Sequence, residues 1–262
     1  MTQLSLSIEQ ADGTVKAEHQ GEDKAVLVYK QAYEEGDVIV LNSSESGVYL
    51  VIQLEDTIPP AYVYLKGNTY RYPVPPSEKR VSYSPKSFTG SVHVLQARLA
   101  TEDERSATKN LAYNSFDQSD NEQCFPHASA NVQTRGESVF APRNAINGNT
   151  ISHSHGPWPF ESWGINQRAD AAITVHFGRT VEVESVALTL RADFPHDNYW
   201  TQATLTFSDG SKQVVHLEKS GEPQSFAVEP KSIEWVTLSE LIPSDDPSPF
   251  PALTQIEVYG RD

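Results

Sequence analysis

Alternation with a period of two runs through this chain almost from end to end, and it limits the fold more than any other feature. Leu4, Leu6 and Ile8 share one face of a strand with Ser5 and Ser7 on the other, and Val48, Leu50, Ile52 and Leu54 repeat the pattern in VYLVIQLED. AYVYL (61–65) leads through Gly67-Asn68, a two-residue turn signal, into TYRY (69–72), and SVHVLQARL (91–99) adds another strand. The prolines at 59–60 and 73–76 cannot donate to a sheet ladder, so they mark strand ends and loops. Short, β-branched, tyrosine-rich runs between Gly, Pro, Asn and Ser clusters predict antiparallel sandwiches or jelly rolls.

Thr101 and Glu104 have the spacing of a capping box, which predicts a short helix or connector within 101–115. Residues 114–136 are polar and irregular. Strands resume at 171–177, 186–191, 203–207, 213–217, 225–228, 234–238 and 254–259, and Ser208-Asp209-Gly210-Ser211 is a hairpin signal between two of them. No stretch of helical period is long enough for α/β winding. At 262 residues the chain exceeds one average domain. The expected architecture is all-β, with two β-sandwich (jelly-roll) domains at 1–110 and 111–262.

Bulk properties exclude several functions. Cys124 is the only cysteine, so neither a disulfide framework nor a zinc site of several thiolates can form within the chain. The formal net charge of −15 opposes binding to nucleic-acid phosphates and to anionic membrane surfaces. The opening MTQLSLSIEQADG has neither the basic nor the apolar region of a signal peptide, and no apolar run approaches a membrane span. The expectation is a soluble cytoplasmic protein if this is the native start. There is no G-x-S-x-G elbow, H-E-x-x-H helix, phosphate-binding glycine loop or dinucleotide fingerprint.

The chemically richest stretch lies between Asn144 and Trp200. Two loop-like segments there crowd together His153, His155, Trp158, Glu161 and Trp163, then Arg191, Asp193, His196, Asp197, Asn198, Tyr199 and Trp200. Trp163 and Trp200 read as packing residues at the end of a sandwich. Trp158, between Pro157 and Pro159 in a polar loop, reads as exposed.

Over about residues 124–262 the chain resembles the galactose-binding-like, or discoidin (F5/8 type C), β-sandwich superfamily, which includes many carbohydrate-binding modules. The resemblance is carried by ASAN (128–131), NAINGN (144–149), Ser162-Trp163, ITVHFG (173–178), VALTLR (186–191), the FSDGS hairpin and LTQIEVYG (253–260), in that order. The first half resembles no family that can be named. The resemblance implies sugar binding on loops at one end of the second sandwich. An aromatic ring would cover the C–H face of the sugar while fixed donors and acceptors take its hydroxyls. On that reading Trp158 or Tyr199 supplies the ring, and His155, Glu161, Arg191, Asp193, His196 and Asn198 the polar contacts.

The resemblance also implies a structural calcium, held partly by an aspartate of an Asp-Gly pair and a glutamate near the last strand. Here the matching positions are Asn147 and Gln255, which exchange both carboxylates for amides, so hydrogen bonds alone are the other way to hold the loop. The expected function is non-catalytic carbohydrate recognition. One alternative is a metal- or carboxylate-assisted activity on a glycan at the same loops, with His153, His155, His196 and Asp197 as metal ligands or Glu161 paired with Asp193 or Asp197. A second is an assembly role with no small-molecule ligand.

Overall fold

A computed structural model describes residues 1–192 and 198–262. The first sandwich is built from β1 (Gln3–Glu9), β2 (Val15–Glu22), β3 (Lys24–Tyr29), β4 (Val38–Ser43), β5 (Val48–Gln53), β6 (Ala61–Leu65), β7 (Thr69–Pro73) and β8 (His93–Leu99). Strands β2-β1-β4-β7 form one antiparallel sheet and β6-β5-β8-β3 most of the other. The alternation read from sequence is the alternation of burial: Leu4, Leu6, Ile8, Leu50, Ile52 and Leu54 are wholly buried in one core. The two inner faces meet there, as the pleat requires.

One turn signal works differently from its sequence reading. Gly67-Asn68 carries the chain from one sheet to the other, since β6 pairs with β5 and β7 pairs with β4. The reason is competition for the edge of β6, which is taken by β10 (Cys124–Phe125) through Cys124↔Leu65 and Phe125↔Tyr64. A Cβ on Gly67 would lie 2.4 Å from the end of the Gln123 side chain, so the glycine leaves room for that side chain where it lies. Asn68 meanwhile exchanges hydrogen bonds with Ser43 on β4, donating from Nδ2 at 3.1 Å and accepting at its carbonyl at 2.8 Å.

The capping box forms as expected at the start of α1 (Glu102–Ser106): the Thr101 hydroxyl accepts from Glu104 N–H and the Glu104 carboxylate from Thr101 N–H. After α1 the chain serves both sandwiches in turn. Short β9 (Lys109–Asn110) pairs with the last strand of the second sandwich, while Phe116 and Cys124 pack in the first core.

The second sandwich comprises β11 (His127–Ala130), β12 (Trp163–Gly164), β13 (Ile173–Arg191), β14 (Trp200–Phe207), β15 (Lys212–His216), β16 (Gln224–Pro243) and β17 (Ala252–Arg261). Two pairs of strands that read as separate in the sequence are continuous: 171–177 with 186–191 in β13, and 225–228 with 234–238 in β16. The ladder between them survives register shifts at His176/Val181 and Val183/Ser185, bulges that let long strands bend around one core. Gly178 sits in the bend at φ +69°, with the Phe125 ring where a Cβ would be. The Ser208–Ser211 hairpin joins β14 and β15 as expected, with Leu205 opposite Gln213. Among the described residues no helix is long and apolar enough to cross a membrane.

Candidate functional site

The strand ends at Arg191, Gly164 and Ala252 come together at one end of the second sandwich. Ala252 pairs with both Gly164 and Arg191, which places β17 between β12 and β13. Above these ends lies a cleft of about 390 Å³, lined by Thr134-Arg135, Phe140, His155, residues 164–167 and residues 248–252. Segments from residues 134–167 and, more than 80 residues further along the chain, 248–252 therefore make one concavity.

The first wall is fixed by buried packing. Trp163 is wholly buried, its ring centroid 6.3 Å from that of Trp200, and its Nε1 donates to the Val132 carbonyl at 2.9 Å. A Cβ on Gly164 would lie 2.6 Å from Thr134 Oγ1, so the bare backbone lets the Thr134 loop close over it. Thr134 Oγ1 in turn accepts from Asn166 N–H at 3.0 Å. Arg135, Asn166 and Gln167 all line the cleft, and all three hold positive φ, at 52°, 50° and 59°. Non-glycine residues rarely adopt this conformation, which costs about 1–3 kcal/mol each and gathers at functional sites. The side chains of Asn166 and Gln167 are exposed. Arg135 faces Glu137 with two hydrogen bonds, of 2.6 and 3.1 Å.

The opposite wall is the Ser248–Pro251 segment, where Phe250 is 42% exposed. Asn198, buried at the foot of this wall, shapes it. Its Nδ2 donates to the carbonyls of Asp246 (3.1 Å) and Ser248 (2.6 Å), and its Oδ1 accepts from Ser244 N–H and Oγ–H.

The residues expected from sequence are distributed around this cleft in different roles. His155 lines it. Arg191 lies beneath and is 1% exposed. Its Nη1 donates to the Phe160 carbonyl at 2.7 Å, and its Nη2 is 3.4 Å from both the Ser154 carbonyl and His155 Nδ1, so the guanidinium holds the 154–160 loop in place. Glu161 is buried and saturated: Oε1 accepts from Asn149 Nδ2 (2.7 Å), Trp158 Nε1 (3.2 Å) and Asn147 Nδ2 (3.5 Å), and Oε2 from Phe160 N–H (3.0 Å). Trp158, 37% exposed, and Glu161 line a smaller cavity of about 90 Å³ facing Tyr83 and Ser87 of the first sandwich. They do not line the His155 cleft. Tyr199 is half-buried and packs on the second core. His153 is exposed on the same loop as His155. Asp193, His196 and Asp197 lie outside the described residues.

The sequence reading passed over Phe250, Arg135, Asn166 and Gln167. For Phe250 a signal existed: it stands between Pro249 and Pro251 in a polar loop, the same setting that marked Trp158 as exposed.

The loop at Asn147 does not fit a calcium ion. Gln255 Nε2 lies within 3.1 Å of four acceptors: the carbonyls of Thr254 (2.6 Å), Asn144 (2.7 Å) and Asn149 (3.1 Å), and Asn147 Oδ1 (2.9 Å). These oxygens surround a side-chain N–H₂ in the manner of ligands around a cation. The amide cannot turn its oxygen inward, because Oε1 accepts from Gly148 N–H at 3.0 Å and would be replaced there by a second donor. No carboxylate takes part, whereas hard dications select charged oxygen donors.

A second concavity, of about 560 Å³, runs along the seam between the sandwiches beside Pro75, Pro76 and Arg143. Its single aromatic among the described residues, Tyr83, is buried.

No protein-family model matches this chain, and no curated protein does. Solved structures do. Chitosan-binding module 1 of a chitosanase/glucanase from Paenibacillus sp. IK-5 is 20% identical over 58% of this chain and 99% of the module, with a TM-score of 0.39. The family 32 carbohydrate-binding module of C. perfringens NanJ, in complex with galactose, is 21% identical over 50% of this chain and 91% of its own, with a TM-score of 0.37. The lectin domain of lectinolysin, complexed with Lewis B antigen, is 19% identical over 59% and 97%, with a TM-score of 0.42. With TM-scores below 0.5, these likenesses assign no role to any residue of this chain.

Proposed function

We propose that the second sandwich binds a carbohydrate, without turnover, in the cleft between residues 134–135, 164–167 and 248–252. One observation carries the reading. An exposed phenylalanine, Phe250, stands on one wall, facing a second wall where three non-glycine residues with amide or guanidinium side chains keep left-handed backbones. An apolar ring opposite convergent hydrogen-bonding groups suits a pyranose, which has a C–H face and a rim of hydroxyls. Phe250 covers the sugar face, while Asn166, Gln167 and His155 take hydroxyls. Arg191 and Asn198 act one layer down by fixing the loops that carry His155 and Phe250.

The net charge of −15 favours a neutral or amine-bearing glycan over an anionic one. No carboxylate lines this cleft among the described residues, and Glu161 spends both oxygens on its own loop, so the non-catalytic reading is preferred to a glycosidase-like one.

The test is calorimetric titration of neutral mono- and oligosaccharides into the wild-type protein, Phe250→Ala and Gln167→Ala. Phe250→Ala is expected to weaken binding by about tenfold or more, equivalent to about 1.4 kcal/mol, with an unchanged unfolding midpoint. Affinity for every sugar tested that survives both substitutions would move the site elsewhere.

A further inference from the structure

The first sandwich holds a cluster that sugar recognition does not use. Strands β5 and β8 pair antiparallel as far as Gln53↔Gln96. Carried past the strand ends, that register sets the turn at Glu55-Asp56 against His93, the first residue of β8. The side chains of Glu55 and His93 are each 1% exposed, while Asp56 is open to solvent. One potential ligand atom from each of the three lies within 4.8 Å of the others, and among the described residues this is the one such trio of His, Cys, Asp or Glu.

The buried groups are held in position but incompletely paired. Glu55 Oε1 accepts from the Thr57 hydroxyl at 3.1 Å, Thr57 is 2.7 Å from the Ser87 hydroxyl, and the Glu55 carbonyl accepts from Ile58 N–H at 3.1 Å. These contacts orient the carboxylate and leave Oε2 pointing at His93, 3.7 Å from Nδ1. Glu55 Oε2 has no hydrogen-bond partner, and His93 Nε2 and the hydroxyl of Tyr33, whose ring lies 4.2 Å from that of His93, have none either. A buried polar atom left unpaired is costly, because it has given up its hydrogen bonds to water without replacement. A water molecule would satisfy hydrogen bonds but would bring no positive charge to the two adjacent carboxyl groups. A dication neutralises both.

We propose that Glu55, Asp56 and His93 bind a divalent transition-metal ion, Zn²⁺ in preference to Mn²⁺. One imidazole with two carboxylates is a donor set for such ions. A tetrahedral Zn²⁺ with bonds of about 2.0–2.1 Å sets its ligand atoms about 3.3 Å apart, so the three groups, which lie within 4.8 Å of one another, draw together around the ion. Three protein ligands leave one position free on the solvent side, beside Asp56, for water or a small anion. The strongly negative protein draws cations towards it.

The test starts from the whole protein stripped of metal with a chelator, titrated calorimetrically with ZnCl₂ and separately with MnCl₂. One Zn²⁺ per chain is expected. Asp56→Asn, on the exposed side, should weaken binding at least about tenfold without altering the fold, and Glu55→Gln should abolish it. Co²⁺ should show the intense visible bands of a four-coordinate ion, changed in His93→Gln. The double substitution His153→Ala/His155→Ala should leave stoichiometry and affinity untouched. Absence of binding, binding unchanged in both carboxylate variants, or binding lost in the His153/His155 variant would each overturn the proposal.

Discussion

Gln255 donates from Nε2 to Asn147 Oδ1 at 2.9 Å, joining the start of β17 to a loop 108 residues earlier in the chain. The amide occupies the centre of an oxygen cage that a cation would otherwise fill, and Gly148 N–H locks its orientation. Added Ca²⁺ is therefore expected to leave the unfolding midpoint unchanged. Gln255→Ala should cost at least about 2 kcal/mol in urea unfolding, because several buried partners lose their bonds at once. The paired change Asn147→Asp/Gln255→Glu should make stability rise with added Ca²⁺, since like-charged carboxylates then need an ion between them.

Asp262 ties the two sandwiches together. Its carboxylate accepts from Tyr62 of β6 at 2.6 Å and from Lys109 Nζ at 2.9 Å, and it pairs with Arg179 of β13. Arg179 also stacks on Tyr49 and Tyr64 of the first sandwich. Asp262→Ala should destabilise by about 3 kcal/mol, because it leaves a largely buried guanidinium uncompensated. Burial alone would raise the Asp262 carboxyl, but Arg179, Tyr62 and Lys109 outweigh it and hold the group below the usual carboxylate range. The contribution is therefore full above the unfolded-state value of 3.8 and lost as pH falls through the lower folded value. Urea unfolding at successive pH values, compared with Asp262→Asn, reads this directly: the variant's stability should fall less steeply on acidification.

His127 gives the opposite slope. Its Nδ1 lies 2.8 Å from Asp117 Oδ1, and Asp117, wholly buried, also accepts from Ala128 N–H at Oδ2 and from Asn121 Nδ2. Burial pulls the His127 value down, but Asp117 more than reverses this and leaves it raised. The stabilisation is present below the unfolded-state value of 6.5 and lost as pH rises through the folded one. His127→Gln should remove that loss as pH rises, and NMR titration of the imidazole should give a midpoint above the usual histidine value.

Glu161 separates a bracing role from a recognition role. Its two oxygens accept from four N–H groups, so Glu161→Gln turns one acceptor into a donor that faces other donors. Thermal unfolding should show a loss of about 1–3 kcal/mol. Sugar affinity at the Phe250 cleft should stay within about twofold of wild type, or about 0.4 kcal/mol, at temperatures where the variant is folded.

The strands, the capping box at Thr101 and the Ser208–Ser211 hairpin were legible in the sequence because each is a local matter. Alternating burial has a period of two residues, and caps and turns span four. Even the amide at position 255 could be paired with Asn147 through the family resemblance. Partners in space were decided elsewhere. Gly67-Asn68 looks like a hairpin until β10 takes the edge of β6, an event some 60 residues away. The cleft draws its walls from residues 134–135, 164–167 and 248–252, and the cluster at Glu55, Asp56 and His93 exists through the β5–β8 register. Trp158 and Glu161 sit in the same sequence loop as His155 yet line a different cavity, because Arg191 and Glu161 fold that loop in two directions. Sequence determined the elements, since short-range sterics and burial act along the chain. Only tertiary packing decided which loops converge, since that depends on strand order and register, which residues distant in the chain settle together.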